Sequence, residues 1–86
     1  MTNPTETGPL EEEIIAIFAE LLRQPRVGRL DHFLHLGGNS LIAAQIVARI
    51  RSELSAEISL RAFFSDPTPA GVAAALTRAP AVPGQA

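Results

Sequence analysis

The chain has 86 residues, 47% of them hydrophobic, and a formal net charge of −2 from seven arginines, no lysine and nine acidic residues. That length suggests one small domain, and the charge gives neither the clustered basic face of a nucleic-acid binder nor a polybasic membrane anchor. Without cysteine there is no disulfide framework or Cys-based zinc site, so stability must come from packed aliphatic helices.

Met1 to Gly8 reads as a flexible leader that is polar and acidic, without the basic start and apolar run of a signal peptide. No apolar stretch approaches the ~20 residues that span a bilayer, so a cytoplasmic monomer is the expectation. A first helix is predicted over Pro9–Leu22. Pro9 suits a first turn, and Glu11, Glu12 and Glu13 sit where the helix dipole favours negative charge. Leu10, Ile14, Ile17, Phe18 and Leu21 recur at helical spacing as its buried stripe. Gln24-Pro25 marks the stop, because the residue before proline avoids helical geometry.

A long structured loop follows, Arg23 to Asn39, of a length that is often functional. Val27, Leu30, Phe33, Leu34 and Leu36 are expected to pin it to the helices, with a helical turn near Asp31–His35. The second helix is predicted over Ser40–Leu54. With Leu41 at zero and 100° per residue, Ala43, Ile46, Val47, Ile50 and Leu54 fall within about 140–240° and form the core stripe. Leu41, Ala44, Gln45, Ala48 and Ser52 fall on the opposite face. Alanines there serve helix propensity, but with Leu41 they read as a docking strip for partner proteins. Ser59 caps a short third helix through Phe64. Thr68 and Pro69 open a last helix that reaches Arg78 and packs through Val72 and Leu76. Residues 79–86 read as a flexible tail. No segment reads as a strand, so the expected fold is all-α: a small bundle of three main helices plus a short one, over residues 9–78.

Ser40, in "HLGGNSLIAAQ", poses the functional question. Asn39 and Ser40 both qualify as helix caps. A nucleophile elbow needs Gly on both sides of the serine, but position 42 is Ile, and no His follows Ser40. A P-loop needs a lysine. His32 and His35 form H-x-x-H without further ligands, so both read as loop residues and no metal site is expected. What remains is a presented serine. Gly37 and Gly38 remove bulk and permit a tight turn, and the positive end of the helix dipole favours a phosphodiester there.

These residues carry a resemblance. "DHFLHLGGNSLIAAQIVARI", Asp31–Ile50, resembles the thiolation motif of peptidyl carrier proteins of nonribosomal peptide synthesis, roughly D-x-F-F-x-L-G-G-[HD]-S-L. Asp31, Phe33, Leu36, Gly37, Gly38, Ser40 and Leu41 match it, and "RAFFSDPTPAGVAAAL" resembles the family's closing segment. The resemblance implies an acyl-carrier-protein-like bundle and a phosphoprotein that is not an enzyme. Ser40 would receive 4′-phosphopantetheine from coenzyme A, within a site of Gly37, Gly38 and Asn39. The arm would carry aminoacyl or peptidyl groups as thioesters. Implied partners are a phosphopantetheinyl transferase, an adenylation enzyme, a condensation enzyme and a thioesterase. Leu41, Ala44 and Ala48 would contact them, with Phe33 and Leu34 as loop contributors. Asn39 stands where the family has His or Asp, and His35 where an acidic residue is common. The alternatives are an acyl carrier of polyketide or fatty-acid type, and a helical interaction module without a prosthetic group.

Overall fold

The computed structural model describes residues 8–78; the expected tail, and the expected leader apart from Gly8, lie outside them. The order is α1 (Pro9–Leu22), a 3₁₀ turn (Phe33–Leu36), α2 (Ser40–Leu54), α3 (Leu60–Ser65) and α4 (Pro69–Arg78). No strand occurs among the described residues. α1 packs on α2 and α4, and the short α3 bridges α2 and α4.

Each helix starts where local chemistry directs it. Pro9 occupies the first turn of α1, with Glu11 and Glu12 in the same turn. The Ser59 hydroxyl accepts from the Ala62 amide at 3.0 Å and opens α3. The Thr68 hydroxyl accepts from Gly71 at 2.9 Å and opens α4. α1 ends at Leu22, as expected, and the stop is made one residue before Gln24-Pro25: the C-cap Arg23 turns left-handed at φ 57° and donates its amide to the Ala19 carbonyl.

The core joins the apolar stripes of all four helices. Ile14, Ile17, Phe18 and Leu22 of α1 meet Ala43, Ile46 and Ile50 of α2, Phe63 of α3, and Val72 and Ala73 of α4. Leu21, expected in the α1 stripe, is only half-buried, and Leu22 lies deeper. Four phenylalanines form one cluster. Phe33 and Phe63 pack edge to face with centroids 5.0 Å apart, and Phe18 lies 6.1 Å from Phe33 and 5.9 Å from Phe63.

The long loop is fastened, but not by every apolar residue it carries. Phe33 is fully buried, and Val27 and Leu36 are half-buried. Leu30 and Leu34 are 68% and 54% exposed and pin nothing. Polar bonds do the rest. The Arg29 guanidinium grips the Glu11 carboxylate with two bonds, 2.7 and 3.0 Å. The Arg29 carbonyl accepts from the Ala70 amide at 2.9 Å, and the Pro67 carbonyl accepts from the Phe33 amide at 2.8 Å. The Gln24 side-chain amide donates to the Leu36 carbonyl at 3.1 Å. α1, the loop, and the α3–α4 junction are thereby held as one unit.

Candidate functional site

Ser40 begins where the loop meets α2. His32 caps the 3₁₀ turn, its Nδ1 accepting from the Leu34 amide at 3.2 Å. The His32 and His35 rings stack with centroids 4.9 Å apart. Gly37 then ends the turn at φ 92°, a left-handed conformation that side chains resist. Gly38 donates its amide to the Phe33 carbonyl at 3.1 Å, and its Cα lies against the Phe33 ring. Asn39 is fully extended, and α2 starts at the next residue.

Of the two candidate caps, Asn39 takes the role. Its Oδ1 accepts from the Ile42 amide at 2.9 Å, and its carbonyl accepts from the Ala43 amide at 2.9 Å. Ser40 is the first residue inside the helix and is exposed. No side-chain hydrogen bond among the described residues engages its hydroxyl. The first-turn amides and the helix dipole lend this corner a partial positive charge. A free hydroxyl on an open corner, in a field that favours an attached phosphodiester, fits a long prosthetic arm. The donor set is otherwise spare: among the described residues no group of three or more His, Cys, Asp or Glu could hold a metal ion.

α2 divides into two faces, as its periodicity requires. Ala43, Ile46 and Ile50 are buried, while Leu41, Ala44, Gln45, Ala48 and Ser52 are exposed. Leu41, beside Ser40, is 68% exposed and forms the head of the outer strip. Leu34 is also exposed, but Phe33 is not available to any partner. Its ring lies wholly inside the phenylalanine cluster, which removes it from the docking set. The turn draws on residues that the motif did not single out. Gln24 and His32 support it with side-chain bonds to the Leu36 carbonyl and the Leu34 amide, and neither is among the preferred capping types.

A family model for the phosphopantetheine attachment site matches residues 12–76. The chain belongs to that family. Its prosthetic group is 4′-phosphopantetheine, and its members are carrier domains. The carrier domain is 48% identical over 65 residues to a linear gramicidin synthase subunit of Brevibacillus parabrevis, covering 76% of this chain and 1% of that protein. It is 47% identical over 68 residues to a dimodular nonribosomal peptide synthase of Bacillus subtilis, covering 79% of this chain and 3% of that protein. The carrier domain therefore spans only a few per cent of the length of these relatives. A solved peptidyl carrier protein, in complex with the phosphopantetheine transferase Sfp and coenzyme A, superposes with a TM-score of 0.81 at 27% identity. That match covers 86% of this chain and 96% of the other. No helix of the described residues is long and apolar enough to cross a membrane.

Proposed function

We propose that the domain is a peptidyl carrier of nonribosomal peptide synthesis and that Ser40 is its attachment residue. The observation that carries this reading is the division of roles between neighbours. Asn39 caps α2 through its side chain, so the exposed Ser40 hydroxyl is left for another enzyme. A phosphopantetheinyl transferase drawing on coenzyme A is the modifying partner. The arm, when attached, supplies a thiol that holds an aminoacyl or peptidyl group as a thioester.

The protein's own residues present rather than react. Gly37 turns the chain, Asn39 fixes the helix start, and the positive end of the α2 dipole lies at the attachment residue. Leu41, Ala44 and Ala48, with Leu34 from the loop, form the surface for adenylation, condensation and thioesterase partners. The domain catalyses nothing itself in this reading, and it works in the cytoplasm.

The test uses purified protein, coenzyme A and a broad-specificity phosphopantetheinyl transferase, followed by intact mass. One phosphopantetheine per chain is expected, and none in Ser40→Ala. No gain in the parent, or an equal gain in the variant, refutes the assignment. Loading the modified protein with amino acids against malonyl groups then separates a peptidyl from an acyl carrier. Leu41→Ala or Ala44→Glu should slow loading by a cognate adenylation enzyme at unchanged helix content, and unchanged rates remove the docking strip.

A further inference from the structure

We propose that Phe33 and Gly38 form a positioning pair: the buried ring, seated against the glycine Cα, fixes the turn that presents Ser40 and so sets its rate of modification. This rests on the reading of Ser40 as the attachment residue. A methyl group placed on Gly38 would come within 2.4 Å of the ring carbons Cε2 and Cζ of Phe33 and 2.6 Å of Cδ2. Carbon atoms do not approach so closely, so either ring or turn must move.

The ring is not free to yield. It is fully buried and hemmed by Phe18 at 6.1 Å, Phe63 at 5.0 Å and Phe64 at 6.0 Å between centroids. The Phe33 amide is bonded to the Pro67 carbonyl at 2.8 Å, which ties its backbone to the α3–α4 junction. The turn must give instead. Gly38 is held to Phe33 a second time, by its amide on the Phe33 carbonyl at 3.1 Å. Only Asn39 separates Gly38 from Ser40, and Asn39 is extended and committed to its cap. A shift at Gly38 therefore passes directly to Ser40. Gly37 provides the contrast. A methyl there meets nothing within 4 Å, and its requirement is the positive φ of 92° alone.

The experiment is a double-mutant cycle on the apo protein, with coenzyme A and the transferase. Leucine in place of Phe33 lacks Cε2 and Cζ, two of the three atoms that the added methyl strikes, and its remaining Cδ2 is no longer fixed in a planar ring and can turn away. Gly38→Ala should lower kcat/KM at least about tenfold, with the loss in kcat, since a misplacement near 1 Å can cost about a hundredfold. Phe33→Leu added to Gly38→Ala should recover most of that rate, although the leucine packs the core less well. Phe33→Leu should not rescue Gly37→Ala. A structural role alone would make the two core lesions add. Amide hydrogen exchange of the apo protein gives a second readout: exchange at position 38 and at Ile42 should quicken in Gly38→Ala and slow again in the double variant.

Gly38→Ala reacting like the parent, a double variant slower than Gly38→Ala, or equal rescue of Gly37→Ala would each overturn the pairing. If Gly38→Ala does not fold, the double variant decides: a cooperative melting transition regained in it supports the pair, and none overturns it. If the parent is never modified, the assignment of Ser40 fails, while exchange still tests the contact.

Discussion

Replacing Asn39 with alanine separates capping from modification. At the start of α2 the amides of Ser40, Leu41 and Ile42 have no carbonyl one turn back inside the helix, and the Asn39 side chain satisfies Ile42 at 2.9 Å. That bond is solvent-exposed, so water replaces part of it when the side chain is cut back. The cost should be about 1 kcal/mol, mid-range for a lost cap. In a domain this small that lowers Tm by roughly 4–8 °C. Asn39→Asp keeps the acceptor and places a negative charge at the positive helix end, so it should match or exceed the parent by about 0.3–1 kcal/mol at low ionic strength. Ser40→Ala removes no cap and should stay within about 0.5 kcal/mol. In Asn39→Ala the Ser40 hydroxyl becomes the nearest oxygen able to cap, and the rate of phosphopantetheine attachment should fall. Thermal and urea unfolding followed by far-UV circular dichroism give the stabilities, and intact mass gives the rate. If Asn39→Ala melts with the parent, or Ser40→Ala costs as much as Asn39→Ala, the assignment of the cap to Asn39 is wrong.

Three further outcomes follow from the fold. Ser55 ends α2 in the left-handed region at φ 52°, so Ser55→Gly should stabilise by about 1 kcal/mol in urea unfolding, because glycine has no Cβ to strain there. Phe63→Ala empties the centre of the phenylalanine cluster. Its cost of about 3–5 kcal/mol stands against a total of about 4–13 kcal/mol for a chain this size, and the urea midpoint should fall steeply or the fold be lost. The hydrogen bonds from Arg29 hold the Glu11 carboxyl below its ordinary range, partly opposed by its burial, with charge attraction adding to the lowering. A depressed carboxyl stabilises the fold above its unfolded value and loses that contribution as pH falls through its folded value. Stability in Glu11→Gln should therefore decline less steeply than in the parent on acidification through the carboxylate range, measured as the urea midpoint against pH.

The helices were legible because their signals are local. Pro9, Ser59 and Thr68-Pro69 each mark a start within a few residues, and the 3.6-residue period of α2 sorts Ile46 from Ala44 without knowledge of what covers either. The loop was not legible in the same way. Hydrophobicity names a residue type, but irregular backbone has no period to give it a direction, so Leu30 and Leu34 read as anchors by type and yet point outward. Phe33 suits both an anchor and a docking residue by type, and burial allows only the first. The Arg29–Glu11 grip, the Phe33–Pro67 bond and the contact of Gly38 with Phe33 join residues distant in sequence or held by an irregular turn, and no spacing rule anticipates them. At the site, composition offered two caps and could not choose between them. The register of α2, starting at Ser40 itself, makes the choice.

The bonds that lash Arg29 to α1 and α4, Phe33 to the α3–α4 junction and Gln24 across the loop to Leu36 leave the platform under Ser40 little freedom to surrender. Under the proposed attachment at Ser40, a courier built this way meets each workstation already in its delivery pose. The reach between the proposed stations then comes from what hangs beyond the serine oxygen, and not from slack in the polypeptide beneath it.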